Sequence, residues 1–422
     1  MRRIHTVVGL AVATLVLGAC GGSGGRDPST LAVPGDHATI QEAVDAAQPG
    51  DLVLISPGVY HEQIVVETDD VVIRGLDRNE VVLDGRDELF DGFLVVADGV
   101  AVENLTVTRY VQNGVIFTGD TQYEFDDPQA DQEAEVGAAP TGNGPGVLER
   151  YRVSHVTAVN NGTYGIYAFA ARGGLIEDSY ASGHPDSGFY VGQCKPCDVV
   201  LDGVTAERNS IGYFGTNASG GVFVVNSTFR HNRLGLTPNS QVAERLAPQE
   251  GAVIAGNLVA DNDDPTAPAI TNGFFGGGIA VGGGIGNTVI RNRVEGHDAF
   301  GIGLVPLDGF LPMDNRVEGN VASGNGVDIV VDTDGEPLGN CFSDNQITTE
   351  APDGVVASLP CNGEASMFAS FPFPSAPAPP DVDYREVVEP GPRPSMPAPA
   401  TAAAPPAGEP PAVDLESISV PA

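Results

Sequence analysis

A short pattern of apolar and polar positions recurs along this chain: an apolar residue, any residue, then Asn, Asp, His or Gly. It reads Val102-Glu103-Asn104, Val153-Ser154-His155, Ile176-Glu177-Asp178, Leu201-Asp202-Gly203, Val224-Val225-Asn226, Ile254-Ala255-Gly256, Ile290-Arg291-Asn292, Val317-Glu318-Gly319 and Phe342-Ser343-Asp344. The third residues are separated by 51, 23, 25, 23, 30, 36, 27 and 25 positions, so the short intervals read as single coils of a solenoid. Six residues after each anchor fall Tyr110, Asn161, His184, Asn209, Asn232, Asn262, Asp298 and Asn325. This is the pattern of an asparagine ladder, in which each amide bonds to the amide one coil away. A glycine then opens the next strand, as in Gly165-Ile166, Gly188-Phe189 and Gly235-Leu236.

Short strands separated by turns, stacked ~4.8 Å apart, pair each strand with its counterparts above and below. The expected fold is therefore all-β, a single-stranded parallel β-helix. Leucine-rich repeats would need leucines at fixed offsets, and propeller blades a longer repeat. Ahead of the coils, Thr39-Ile40-Gln41-Glu42 forms a capping box, and Ile40, Ala43, Val44 and Ala47 share one helical face, which predicts a short helix plugging the open end.

That cap, then Pro49-Gly50-Asp51 and the run Val53 to Tyr60, resembles the entry into pectin-lyase-like right-handed parallel β-helices. These include pectate lyases, pectin methylesterases and exported β-helix repeat proteins. The resemblance covers residues 33–361 and implies a right-handed coil. It says little about the reaction, because function resides in the site rather than the fold.

The two ends have a different character. Arg2 and Arg3, an apolar run from Thr6 to Leu17 and the sequence Leu17-Gly18-Ala19-Cys20 read as an export signal, and the residues before Cys20 resemble a bacterial lipobox. The expected division is a signal peptide over 1–19, a glycine-rich tether over 20–30, a β-helix domain over 31–361 and a disordered tail over 362–422, where 15 of the 33 prolines fall in the last 52 residues. Lipidation of Cys20 would place the chain outside the cytoplasm, anchored to the envelope membrane; the expected state is a monomer. An ordinary soluble secretory signal is the alternative.

With 20 basic and 56 acidic side chains, the formal charge of −36 argues against nucleic acid and anionic lipid as partners. An anionic glycan would need a local basic patch or bridging calcium. The run Asp120, Glu124, Asp126, Asp127, Asp131, Glu133 and Glu135 offers calcium ligands, or simply a solvated acidic loop. After Cys20 four cysteines remain, expected to pair as Cys194 with Cys197 and Cys341 with Cys361. A redox-active Cys194-Lys195-Pro196-Cys197 is the alternative for the first pair.

Alternation after the strand-opening glycines points Tyr167, Tyr190 and Phe214 outward on adjacent coils, an aromatic column suited to sugar stacking or to packing beneath a loop. Near it fall His184, Asp186, Arg208 and His231, with Lys195 on the following turn. The expected site has His184 or Tyr190 as base and Arg208 as carboxylate clamp, flanked by Tyr167, Phe214, Lys195, His231 and Asp186 as substrate contacts. His184 also occupies a ladder position, so a structural turn histidine is the competing reading. His184-Pro185-Asp186 resembles part of the mannuronan epimerase signature, but the order differs and no residue is carried over. The partner class is a polysaccharide or envelope glycan, processed by a lyase, epimerase or hydrolase, or bound without catalysis.

Overall fold

The computed structural model describes residues 27–120, 146–269, 274–371 and 373–422. Among these, three parallel sheets of 12, 10 and 11 strands, here called A, B and C, run the length of a solenoid. Each coil contributes one strand to A, then B, then C, and every strand pairs in parallel with its counterpart in the next coil.

The apolar anchors of the repeat form one inward column of sheet A. Val53, Ile73, Val102, Val153, Ile176, Leu201, Val224, Ile254, Val289, Val317 and Phe342 pair in unbroken register. All are buried, and each such side chain contributes about 1.5–3 kcal/mol relative to an exposed position. One coil departs from the expected reading: Val289 lies in the column, and Ile290 points outward. The following turn shows the same slip, because Arg291 (φ 53°) takes the left-handed place that Asn104, Asp178, Asn226 and Asp344 take in other coils. The ladder residue there is consequently His297 and not Asp298.

The capping helix Ile40–Ala46 forms as expected, with the Thr39 side chain accepting from the Glu42 N–H at 3.1 Å and Ile40, Ala43 and Val44 buried. At the other end the helix Val355–Ser358 and the Cys341–Cys361 disulfide close the last coil, with Val355 and Leu359 fully buried. Both expected disulfides are formed.

Residues 373–421 lie along the outside of the solenoid as an extended strap. Proline lacks an N–H, so an extended proline-rich chain leaves its carbonyls free to accept. Arginines of the coils supply the donors: Arg233 to Pro379, Arg78 to Pro394, Arg74 to Ala402 and Ala403, Arg152 to Pro405, and Arg293 to Pro421. Composition alone hides these partners because they are spread over distant coils. The end of the strap also explains the apolar Ile290: with Val200, Val225 and Ala255 it forms an outer stripe on sheet A, covered by Ile418.

Candidate functional site

The outward face of sheet C carries the aromatic column. In the strands Tyr164–Phe169, Ser187–Gly192 and Ile211–Thr216, Tyr167 pairs with Tyr190 and Tyr190 with Phe214. Tyr164 joins the cluster, its ring 4.4 Å from that of Tyr167 and nearly parallel to it. The Tyr190 ring lies 4.9 Å from Tyr167 and 5.0 Å from Tyr164, and Phe214 meets it edge-on at 5.7 Å.

Tyr190 is not the open platform expected of it, since only 2% of its surface is exposed. Residues 240–251, which lengthen the coil two further along, bring Glu244 over the ring, and the Tyr190 hydroxyl donates to Glu244 Oε1. Burial pushes the Glu244 carboxyl up to about 8, the Tyr190 hydrogen bond pulls the other way, and the charge of Asp186 adds to the rise. Burial likewise pushes Asp186 up to about 7, against the hydroxyls of Tyr164 and Ser187 beside it. Tyr190 itself is held well above the ordinary tyrosine range, by burial first and then by Glu244. Two carboxyls raised towards neutrality thus face one aromatic floor, an arrangement able to donate a proton from one carboxyl and accept one at the other.

His184 does not belong to this group. It is fully buried in the ladder between sheets B and C: Nδ1 donates to Asn209 Oδ1 at 2.7 Å, and Nε2 accepts from Asn161 Nδ2 at 3.2 Å. A neutral imidazole donates at one nitrogen and accepts at the other, as a carboxamide donates and accepts, so it relays the ladder without breaking it. His297 repeats the device between Asn325 and Asn262. A proton on Nε2 would face the donor Nδ2 of Asn161, and burial already lowers the His184 pKa to about 4. The folded state therefore takes up this proton only near pH 4, whereas the unfolded chain takes it up near 6.5. Stability from His184 is complete above about pH 6.5 and is lost as pH falls towards 4, by about 3 kcal/mol in all. His184→Asn should remove this share of the acid limb in unfolding measured from pH 4 to 7, and an unchanged limb would contradict the relay.

Arg208 and His231 are also misplaced by the sequence reading. They occupy the left-handed turn before the ladder (φ 53° and 54°), where their backbone conformation matters most. Arg208 turns towards sheet B, with Nη1 3.6 Å from Glu207, and so does not join His184 and Tyr190. The half-buried His231 donates its backbone N–H to the carbonyls of Ala260 and Asp261. Lys195 is engaged with Glu250 at 2.9 Å on the turn braced by Cys194–Cys197. Of the expected residues, Tyr167, Tyr190, Phe214 and Asp186 come together, and Glu244 and Tyr164 were missed. The 30-residue interval between Asn226 and Gly256 was the available signal for Glu244, because it marks an insertion on this coil.

The acidic run from Glu124 to Glu135 lies outside the described residues, as does Cys20. Among the described residues no group of three or more His, Cys, Asp or Glu side chains is gathered for a metal ion, and no helix is long and apolar enough to cross a membrane.

The family model described as the right-handed beta helix region matches residues 91–243. This chain is a right-handed parallel β-helix. Solved structures of the same fold include the A-modules of the Azotobacter vinelandii mannuronan C-5 epimerases AlgE6 and AlgE4. The first is 16% identical over 74% of this chain and 94% of its own, with a TM-score of 0.51. The second is 17% identical over 75% and 92%, with a TM-score of 0.52. The enzymatically active domain of bacteriophage CBA120 tailspike protein 2 is 12% identical, covering 77% of this chain and 46% of its own, with a TM-score of 0.50. No curated protein matches in sequence. At these identities the β-helix shares a fold with its neighbours, and the site must be argued from its own residues.

Proposed function

We propose that this β-helix recognises and processes a polysaccharide along sheet C, with Tyr164, Tyr167, Tyr190 and Phe214 as the floor and Asp186 and Glu244 as the proton-handling pair. The observation that carries the reading is the pair of carboxyls held to about 7 and about 8 beside a continuous aromatic cluster. Buried acids of this kind are costly to a fold and gather at functional sites, and aromatic faces suit the apolar faces of sugar rings. The neighbours named as mannuronan epimerases add support by analogy.

The chemistry follows from which carboxyl holds its proton. Burial raises both carboxyls and the charge of Asp186 raises Glu244 further, so near neutral pH the pair can share one proton. Asp186 then serves as base and Glu244 as acid towards a glycosidic oxygen or a ring carbon. Access requires the 240–251 loop to lift from Tyr190, so binding and loop opening are coupled. A glycan array should show saturable binding that Tyr190→Ala weakens by about ten-fold or more, in line with ~1–3 kcal/mol for an aromatic stacking contact. Identical profiles for the two proteins would remove the groove from consideration.

We further infer that the chain works at the cell envelope, anchored through lipid on Cys20, on the strength of Leu17-Gly18-Ala19-Cys20 and the glycine tether behind it. Cys20→Ser should move the protein from the membrane fraction to the soluble one. Persistent membrane association of that variant would contradict the anchor.

A further inference from the structure

We infer a second carbohydrate site, separate from sheet C, in the channel that the C-terminal strap roofs over sheet B. The strap is fastened on both sides of a short arch. Asn160 Nδ2 donates to the Val387 carbonyl at 2.9 Å, and Arg393 exchanges two hydrogen bonds with the Asn79 side chain at 2.8 and 2.9 Å. Between these fastenings residues 388–392 make no hydrogen bond among the described residues. A Cβ added at Gly391 would meet nothing within 4 Å, so the arch stands clear of its surroundings. Pro390 and Pro392 stiffen it, which keeps it from collapsing onto the sheet.

The space beneath is a cavity of about 520 Å³, within the ~300–1,000 Å³ of ordinary small-ligand sites. Its floor combines methyls and hydroxyls: Thr106 pairs in register with Thr157, and Thr108 with Val159. Thr108 is only 7% exposed, and its hydroxyl has no hydrogen-bond partner. At one wall Arg109 grips Asp84, and Glu389 lies close enough to raise the Arg109 pKa further. On the strap side the Arg393 guanidinium lies 3.5 Å over the Tyr180 ring and 3.5 Å from Glu207.

A ligand for this channel must both donate and accept, and it meets two carboxylates and two guanidiniums, so net charge gives it no advantage. A flexible apolar molecule would leave the exposed Glu389 carboxylate and the half-exposed Arg109 guanidinium without water or partner, whereas a neutral saccharide presents hydroxyls to them and ring C–H groups to the threonine and valine methyls. The site therefore takes a short neutral glycan segment, and it stands whether or not sheet C is catalytic.

Calorimetric titration of the full chain with cellotetraose, maltotetraose and chitotetraose tests this. At least one should bind saturably, and Glu389→Ala should weaken it ten-fold or more. Glu389 makes no hydrogen bond or ion pair among the described residues, so that variant keeps the fold. Thr157→Phe, which fills the channel, should abolish the binding, and Tyr190→Ala should leave it intact. The inference is overturned if none of the three sugars binds, if Glu389→Ala binds as the wild type does, or if Tyr190→Ala removes the binding.

Discussion

Asn209→Leu should destabilise the β-helix by about 3–5 kcal/mol, because it leaves several buried groups without partners at ~1–3 kcal/mol each. Asn209 Oδ1 receives the His184 backbone N–H at 3.1 Å and the ring Nδ1–H at 2.7 Å. Its Nδ2 donates to the carbonyls of Ala181 and Glu207 and to Asn232 Oδ1. Leucine fills a similar volume but answers none of these groups, and the damage passes both ways along the ladder. The control is Asp298→Leu, at the position sequence spacing alone aligns with the ladder. Asp298 is exposed, so that change should stay within ~0.5 kcal/mol. Urea unfolding of the two variants should separate them widely. Equal midpoints would mean that the ladder does not hold the coils together.

A second large effect is expected at the carboxyl pair. Glu244→Gln keeps an acceptor for the Tyr190 hydroxyl and the shape of the loop but removes the transferable proton. Asp186→Asn removes the base in the same way. Each should lower turnover by about 10²–10⁴-fold, the usual weight of one acid–base group, while the melting temperature stays level or rises. The rise has a physical reason. The folded pKa values, about 7 and about 8, lie above those of the unfolded chain, so ionising these groups costs stability as pH climbs from about 4 through 8. Activity should follow a bell whose limbs lie near 7 and 8, and loss of one carboxyl should remove one limb. A profile flat across that range would leave the pair without a catalytic role.

The fold was legible because the inward column of sheet A repeats in the chain as apolar anchors at coil spacing, and register forces that repetition. The reading slipped at Ile290, where an outward residue is apolar because Ile418 covers it from a distant segment. Spacing cannot reveal such a partner. Two further ladders also went unread: Asn257, Asn292, Asn320 and Asn345 form one, and Gln249, Asn287, Asn315 and Asn340 the other. The first begins only midway along the solenoid, after Ser179 and Ser227 have filled the equivalent place with hydroxyls.

The site was half legible. Period-two alternation placed Tyr167, Tyr190 and Phe214 on one face, but it could not tell an inward polar residue of a turn from an outward one. His184 and Arg208 were therefore read into the groove although one faces the ladder and the other sheet B. Glu244 reaches Tyr190 from two coils away, and only the lengthened interval hinted at it.

Proton handling by sheet C on a polysaccharide is decided by comparative turnover. Wild type and Glu244→Gln would be incubated with a panel of uronate and neutral polysaccharides, and unsaturated ends, new reducing ends and solvent deuterium incorporated into the sugar would be followed together. Wild type should yield at least one of these products, at a rate that falls at least 100-fold in Glu244→Gln without loss of fold. No product from wild type on any polysaccharide, or equal rates from the two proteins, would contradict it.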